Sequence, residues 1–525
     1  MRCLYFVICM IMLGACVNPE PPLPPCDDKE SCEKAITLLF DSKFSEKKFI
    51  KVIEYATKAC DLGGSESCIF LGKLHQDSYE SYFQKELAKL AKRNIVLDYH
   101  KAKVFYEKAI SYGAFEAYIY LGSLYLRGIG VEQNDTKGIE FFTKACDRKI
   151  VKGCQTLGDL YEFGSEIIKK DYGKASEFYN KACDLKNNYS GCHQLSRLGL
   201  QYFKGNGVKQ DYVKARELFT KACNADIGES CTNLGVLYGN GMGVKQDFAK
   251  ARTLYNKGCD LESGRGCYNL GLHYFLGKEI KQDYTKAKEF FTQSCDLYDS
   301  LGCYELGTMY YRGEGVLQDD RAAYEFLSKA YEIDESLDYN NLGLLLAWSE
   351  NIKHDYARAK AIFGKSCSEG NGIGCVNLGV LYAFGRGVMT DYTKAVELYT
   401  QACNMNNRVG CYNLGLLYDE GYKGVRQDYF KARELYAKSC DMGNGSACFS
   451  LGLLYSEGKG VRQDYIKARE LYTKACNMGE AGACNNLGVF YTYGKGVRQD
   501  KAKARELFGK ACDMGNQKGC DNYKD

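Results

Sequence analysis

The run "KACDLGGSESC", Lys58 to Cys68, holds two cysteines eight positions apart across a short polar stretch. It returns as "KACDRKIVKGC" ending at Cys154, "KACNADIGESC" at Cys231, "KSCDMGNGSAC" at Cys448 and "KACNMGEAGAC" at Cys484. Thiols at a fixed spacing have two chemical uses, oxidation to a disulfide and capture of a soft metal. Zinc ligands from one turn stand about two to four residues apart, so a spacing of eight points to disulfides. Histidine supplies no companion ligand set, because His75, His100, His193, His273 and His354 are scattered through different stretches of the chain. No metal, no cofactor and no catalytic residue is expected. The 27 cysteines therefore place the chain in an oxidising compartment.

The first residues agree with that placement. Met1 and Arg2 precede an apolar run, Leu4 to Leu13, which is too short to span a bilayer, and "LGAC" at Leu13 to Cys16 puts small residues before a cysteine. Residues 1–15 read as a secretory signal. The "LGAC" resembles a bacterial lipobox, which makes Cys16 the acylated first residue of an outer-membrane lipoprotein; plain secretion after Ala15 is the alternative. Residues 16–27 form a linker holding all five prolines, "VNPEPPLPPC", a stiff extended spacer. Beyond Pro25 no helix breaker of that kind recurs, which favours a continuous helical array. Lys plus Arg (70) nearly balance Asp plus Glu (66), and a net +4 spread over 525 residues is no electrostatic footprint for nucleic acid.

These cysteines are carried by a repeat of 36 residues. Gly228 to Cys259 aligns with Ser263 to Cys295, and the first cysteine of each pair falls at 223, 259, 295, 367, 403, 440, 476 and 512. Earlier copies, at 60, 110, 146 and 183, are less regular. Each unit holds two amphipathic segments. The first, as in "CTNLGVLYGNG", puts Leu234, Leu237 and Tyr238 on one face, with Gly235 where a neighbouring helix approaches. The second, "QDYTKAKEFFTQSC", offers Asp283 as N-cap and Tyr284, Ala287, Phe290 and Phe291 as a buried stripe. A "GxG" between them, as at Gly241 and Gly243 or Gly458 and Gly460, follows a helix instead of a strand and reads as helix termination instead of a phosphate cradle. Two helices cannot bury their apolar faces alone, so the expected fold is an all-α solenoid of about 13 helix-turn-helix repeats over 61–525. Residues 28–60 are expected to form an N-terminal helical cap.

Two pairings are geometrically open: Cys231 with Cys223 across the turn, or with Cys259 at the far end of its hairpin. The units that lack cysteines decide between them. Ile110 and Tyr118 replace both members of one pair, and Tyr331 and Tyr339 both members of another, so losses come eight apart; hairpin pairing would strand Cys146, Cys303 and Cys367. The expected bridges are therefore Cys60–Cys68, Cys146–Cys154, Cys183–Cys192, Cys223–Cys231, Cys259–Cys267 and Cys295–Cys303. They continue as Cys367–Cys375, Cys403–Cys411, Cys440–Cys448, Cys476–Cys484 and Cys512–Cys520, with Cys26–Cys32 in the shortened turn "CDDKESC". Cys3 and Cys9 leave with the signal, and Cys16 alone remains unpaired.

The unit "NLGxLYxxGxGVxxDYxKAxELYxKAC" resembles the Sel-like repeat, a relative of the tetratricopeptide repeat. The cysteines eight apart make it similar, more narrowly, to the Helicobacter cysteine-rich protein family of secreted repeat proteins. The resemblance runs from about Cys60 to the end and departs at the insertion 76–97 and in the two cysteine-free units. It implies an extracytoplasmic scaffold whose first helices line a concave groove. Two residues after the second cysteine, asparagine recurs at Asn233, Asn269, Asn341, Asn377, Asn413 and Asn486, with Glu305 and Ser450 in intervening units. A side-chain amide there both donates to and accepts from the backbone of an extended peptide; alternatively it ties the first helix to its neighbour or caps it. Positions eight and nine beyond the same cysteine vary: Gly239 and Asn240, Phe275 and Leu276, Tyr311 and Arg312, Ala383 and Phe384, Asp419 and Glu420, Thr492 and Tyr493. They read as specificity positions or as loop-proximal surface.

The expected partner is a protein or peptide of unknown identity, with no nucleic acid and with membrane contact only through a lipid anchor. Some members of the resembled family carry a penicillin-binding and β-lactamase assignment, which implies a cell-wall-derived or β-lactam ligand and weak β-lactam hydrolysis as the alternative function. The residues offer that alternative little. Ser31, Ser45 and Ser456 have Lys three residues on, but neither "SDN" nor "KTG" occurs.

Overall fold

The computed structural model describes residues 25–41, 46–76, 97–165, 167–185, 189–277 and 279–524. The signal, Cys3, Cys9, Cys16 and the spacer through residue 24 lie outside the described residues, as do Ser45 and most of the insertion. Among the described residues there are 27 helices, and none is long and apolar enough to cross a membrane. The chain divides into two compact units, one ending at Gly266 and one beginning at Cys267. Each is an α-solenoid in which one helix pair stacks on the next.

The first unit opens with Lys29–Asp41 and Glu46–Asp61, and its later pairs include Val151–Phe163 with Tyr172–Asp184 and Tyr189–Lys204 with Tyr212–Asn224. In the second unit the pairs include Ser300–Arg312 with Asp320–Ile333, Asn340–Trp348 with Tyr356–Ser368 and Gly372–Phe384 with Tyr392–Asn404. Arg408–Glu420 with Tyr429–Asp441, Gly445–Glu457 with Tyr465–Asn477 and Ala481–Tyr493 with Lys501–Asp513 follow, before a closing helix, Gln517–Lys524.

One loop shows how the phrase "GKGVRQD" builds a hairpin. Gly458 ends the first helix in the left-handed region at φ 73°, where any Cβ would be strained. Gln463 then turns its amide back, donating to the Ser456 carbonyl at 2.8 Å, one of the orphan acceptors at the end of that helix. Asp464 accepts the Lys467 backbone N–H at 2.9 Å and starts the second helix, worth about 1 kcal/mol. The same glutamine serves in other loops, as Gln246 to Gly239 and Gln499 to Thr492. Within most pairs a first-helix glycine receives an aromatic ring, as a Cβ on Gly379 would lie 2.5 Å from Tyr399 Cε1, while Gly307 meets Leu327 instead.

At the other end of the solenoid, disulfides join the last turn of one pair to the first turn of the next. Eleven bridges hold their Cα atoms 4.4–4.9 Å apart; among them Cys26–Cys32 ties the residues ahead of the first helix to the start of that helix. Cys259 and Cys267 are disulfide-bonded too. Each closes a short loop, worth about 2.5 kcal/mol of chain entropy.

The turn without cysteines in the second unit is held differently. Tyr339 is buried against Tyr331 edge to face, centroids 5.1 Å apart, and its hydroxyl donates to the Asp334 carbonyl at 2.7 Å. Asp338 acts as the hub, accepting from Asn340 Nδ2 at 2.6 Å, Asn371 Nδ2 at 2.5 Å and Ser366 Oγ at 3.2 Å. The Tyr331–Tyr339 pair thus stands where sulfur stands elsewhere, and Asp338 links this turn to the next one, at Ser366 and Asn371.

Candidate functional site: the inner face of the first helices

First helices of successive pairs touch one another directly, as Asn340–Trp348 touches Gly372–Phe384 and as that helix touches Arg408–Glu420. No pair of successive second helices is packed as closely among the described residues. In each unit the first helices therefore form the inner side. Positions two, five and nine after the second cysteine share one helical face, since i, i+3 and i+7 align.

Position two carries the asparagines. All six, Asn233, Asn269, Asn341, Asn377, Asn413 and Asn486, are half-buried. Asn413 stands near the Tyr399 hydroxyl and Asn486 near that of Tyr472, each opposing the upward push that burial gives the phenol, and each tyrosine lies on the preceding second helix. Asn377 Nδ2 donates to Asn340 Oδ1 at 3.4 Å. These contacts tie first helices to their neighbours, while an amide has further donor and acceptor capacity to offer the groove.

Positions eight and nine, which vary together in the sequence, part company in three dimensions. Position eight turns inward to meet the tyrosine of its own hairpin. Tyr106 donates to Gln76 at 2.6 Å, Tyr436 donates to Asp419 at 3.0 Å, and Tyr472 lies 3.1 Å from Ser456 Oγ. Burial pushes the Tyr436 phenol up, with the nearby Asp419 adding to the shift. Asp419 itself is raised by burial, against the lowering effect of that hydrogen bond. Facing phenylalanine instead, position eight is apolar, as where Phe275 meets Phe291 at 6.2 Å. In these repeats position eight thus faces a partner within its own hairpin.

Position nine is the last residue of the first helix and points out. Phe163 is 56% exposed, Leu276 54%, Phe384 74% and Tyr493 71%. Position five beneath it is half-buried Val236, Leu344, Val380, Leu416, Leu453 and Val489 in different repeats.

One cluster escaped the sequence reading. Arg197 donates two hydrogen bonds to Glu162, at 2.6 and 2.7 Å, although Glu162 is only 2% exposed. Gln201 donates to the same carboxylate at 2.7 Å, and the Tyr179 hydroxyl stands 2.6 Å from it. The only signal was indirect: the extra residues near Ser196 that break the period carry Arg197 and Gln201 in the longer helix Tyr189–Lys204.

The serines with a lysine three residues on are structural where described. Ser31 Oγ accepts from the backbone of Asp27 and Asp28, and Ser456 Oγ donates to the Leu453 carbonyl at 2.9 Å. Lys459 pairs with Glu457 at 2.7 Å. His75, His193 and His354 each lie against an aromatic neighbour, Phe105, Tyr189 and Tyr356. The face thus offers amides, exposed apolar side chains and separated charges, which suit non-covalent recognition of a chain.

The Sel1 repeat matches residues 115–149, 153–187, 195–227, 228–263, 264–299, 300–334, 337–371, 372–407, 409–444, 445–480 and 481–516, more than half of the chain. Among solved structures, the chain is similar to c5321, a protective antigen of uropathogenic Escherichia coli displaying an SLR fold. Identity is 26% and TM-score 0.51, over 90% of this chain and 89% of that one. Helicobacter pylori cysteine-rich protein B is 32% identical over 25% of this chain and 94% of its own, with a TM-score of 0.22. Cytochrome c oxidase assembly factor 7 of Xenopus tropicalis is 32% identical over 133 residues, 24% of this chain; the chain spans about half the length of that curated relative.

Proposed function

Because this chain belongs to the Sel1 repeat family, we propose that it is a binding scaffold whose inner face grips an extended peptide or protein segment outside the cytoplasm. The observation that carries this reading is the exposed apolar residue that recurs at position nine, in the first unit at Phe163 and in the second at Leu276, Phe384 and Tyr493, where other repeats carry Asn240, Arg312 and Glu420. Large apolar side chains at the ends of four first helices, Phe163, Leu276, Phe384 and Tyr493, are more than half exposed at one and the same slot. An apolar residue left in water at a repeated position has no folding benefit there, whereas in a groove it is an anchor. The asparagines one face-turn earlier supply donors and acceptors for a peptide backbone, Asn377 lying on the same helix as Phe384. The disulfides suit an oxidising compartment, where Cys16 tethers the mature chain through its acyl group.

The test is selection of a random extended-peptide display library on the disulfide-intact chain. Selected peptides should bind Phe384→Ala and Asn377→Ala about tenfold more weakly, as expected when a central anchor is truncated. Tyr298→Ala, an exposed aromatic at the disulfide end, should bind as the native protein does. Peptides insensitive to both groove substitutions would refute the reading.

A further inference from the structure

The loops between first and second helices form the edge opposite the disulfides, and along the end of the second unit that edge has its own chemistry. The loops at 421–428, 458–464 and 494–500 each carry a lysine and an arginine: Lys423 and Arg426, Lys459 and Arg462, Lys495 and Arg498. The corresponding loops at 205–211 and 241–247 carry one lysine each, and the loop at 313–319 carries neither. The acids within the three basic loops are the caps Asp428, Asp464 and Asp500, whose side chains accept backbone N–H groups of the following helices. Glu457 neutralises Lys459 at 2.7 Å. The arginines Arg426, Arg462 and Arg498 are exposed, and among the described residues no ion pair engages them.

The row is also rigid. Arg433 donates to the Gly460 carbonyl at 3.4 Å and Arg469 to the Gly496 carbonyl at 3.0 Å. The loops at 458–464 and 494–500 are therefore pinned by the second helix of the preceding repeat, and helix packing sets neighbouring loops about 10 Å apart. Beside the cations stand exposed apolar side chains. Met389, in the loop before this row, is 88% exposed; Phe430 and Ile466, the second residues of their helices, are 53% and 57% exposed. Side chains in a helix lean toward its N-terminus, so Phe430 and Ile466 lean toward the loop edge.

We propose that this edge docks on an anionic lipid surface, with Arg426, Arg462 and Arg498 against headgroups and Met389, Phe430 and Ile466 entering the interface. Cations and exposed apolar side chains on one rigid rim are what such a surface selects, because electrostatic attraction and apolar burial add. A soluble polyanion would use the cations and leave the apolar tips in water. This contact is additional to the acyl anchor expected at Cys16, and it uses none of the groove residues.

The experiment is co-sedimentation of the full disulfide-intact chain carrying Cys16→Ser, so that no acyl group contributes. Vesicles of 30% phosphatidylglycerol in phosphatidylcholine are compared with pure phosphatidylcholine. Binding is expected to the anionic vesicles alone, to fall about 100-fold in an Arg426→Ala/Arg462→Ala/Arg498→Ala variant, and to become more salt-sensitive in Phe430→Ser/Ile466→Ser. Equal binding to both vesicle types, or an unchanged triple variant, would overturn the proposal. So would binding to heparin with none to vesicles, an outcome assigning the edge to a soluble polyanion.

Discussion

Removing one disulfide tests the claim that stability here is local. In Cys440→Ala/Cys448→Ala the sulfurs leave a turn where both cysteines are buried, and the bond closes a loop of sequence separation 8. Chain entropy alone assigns that closure about 2.5 kcal/mol, and lost sulfur packing adds to it. In a solenoid each repeat contacts only its neighbours, so the loss should appear as easier opening of the flanking helices and not as uniform weakening. A cost of about 2.5 kcal/mol corresponds to about a 70-fold rise in the rate of opening-limited hydrogen exchange. The assay is native-state exchange read by mass spectrometry on peptides from Tyr429–Asp441 and Gly445–Glu457, with peptides from Asp320–Ile333 and Asn340–Trp348 as internal reference. The reference turn holds no sulfur and is closed by the Tyr331–Tyr339 contact and the Tyr339 bond to the Asp334 carbonyl, so reduction of the whole chain should leave it the best-protected junction relative to its native state. A rise below about threefold in the flanking helices, or an equal rise in the reference peptides, would show that the bond does not stabilise its turn locally.

Other substitutions probe the packing and the buried charge. Gly379→Ala drives a methyl to 2.5 Å from the Tyr399 ring and should cost about 1–3 kcal/mol, seen as faster exchange in Gly372–Phe384 and Tyr392–Asn404. Arg197→Ala strands the Glu162 carboxylate in a site 2% exposed, at about 3 kcal/mol, whereas Glu162→Leu/Arg197→Leu should recover most of the loss in the same exchange measurement. Asp419 has its carboxyl raised chiefly by burial, so the native state keeps a proton that the unfolded chain gives up. Its contribution is fully present below the ordinary carboxylate value of about 4 and is lost as pH rises through the raised native value. Exchange protection of Arg408–Glu420 should therefore decline upward from about pH 4, and Asp419→Asn should flatten that slope.

Much of this molecule is local chemistry repeated, and local chemistry is legible in a sequence. Asp283 caps the helix Tyr284–Asp296 because its neighbours are a loop and an amphipathic stripe, and both are visible within a dozen residues. The joining of Cys223 to Cys231 follows from the same short range, once the cysteine-free units show that such residues are lost eight apart. Two features needed the packed neighbour. Ala383 and Phe384 look equally free in the sequence, yet one lies beneath its own hairpin and the other is 74% exposed, because a 100° step between adjacent helical residues becomes burial or exposure only when a second helix is in place. Likewise, Asn413 meets Tyr399, and Glu162 meets Arg197 across 35 positions. Period, caps and staples are written in the order of residues, since their partners are near in the chain. Which variable position faces a ligand, and which charge is buried with which, depends on distances that only stacking creates.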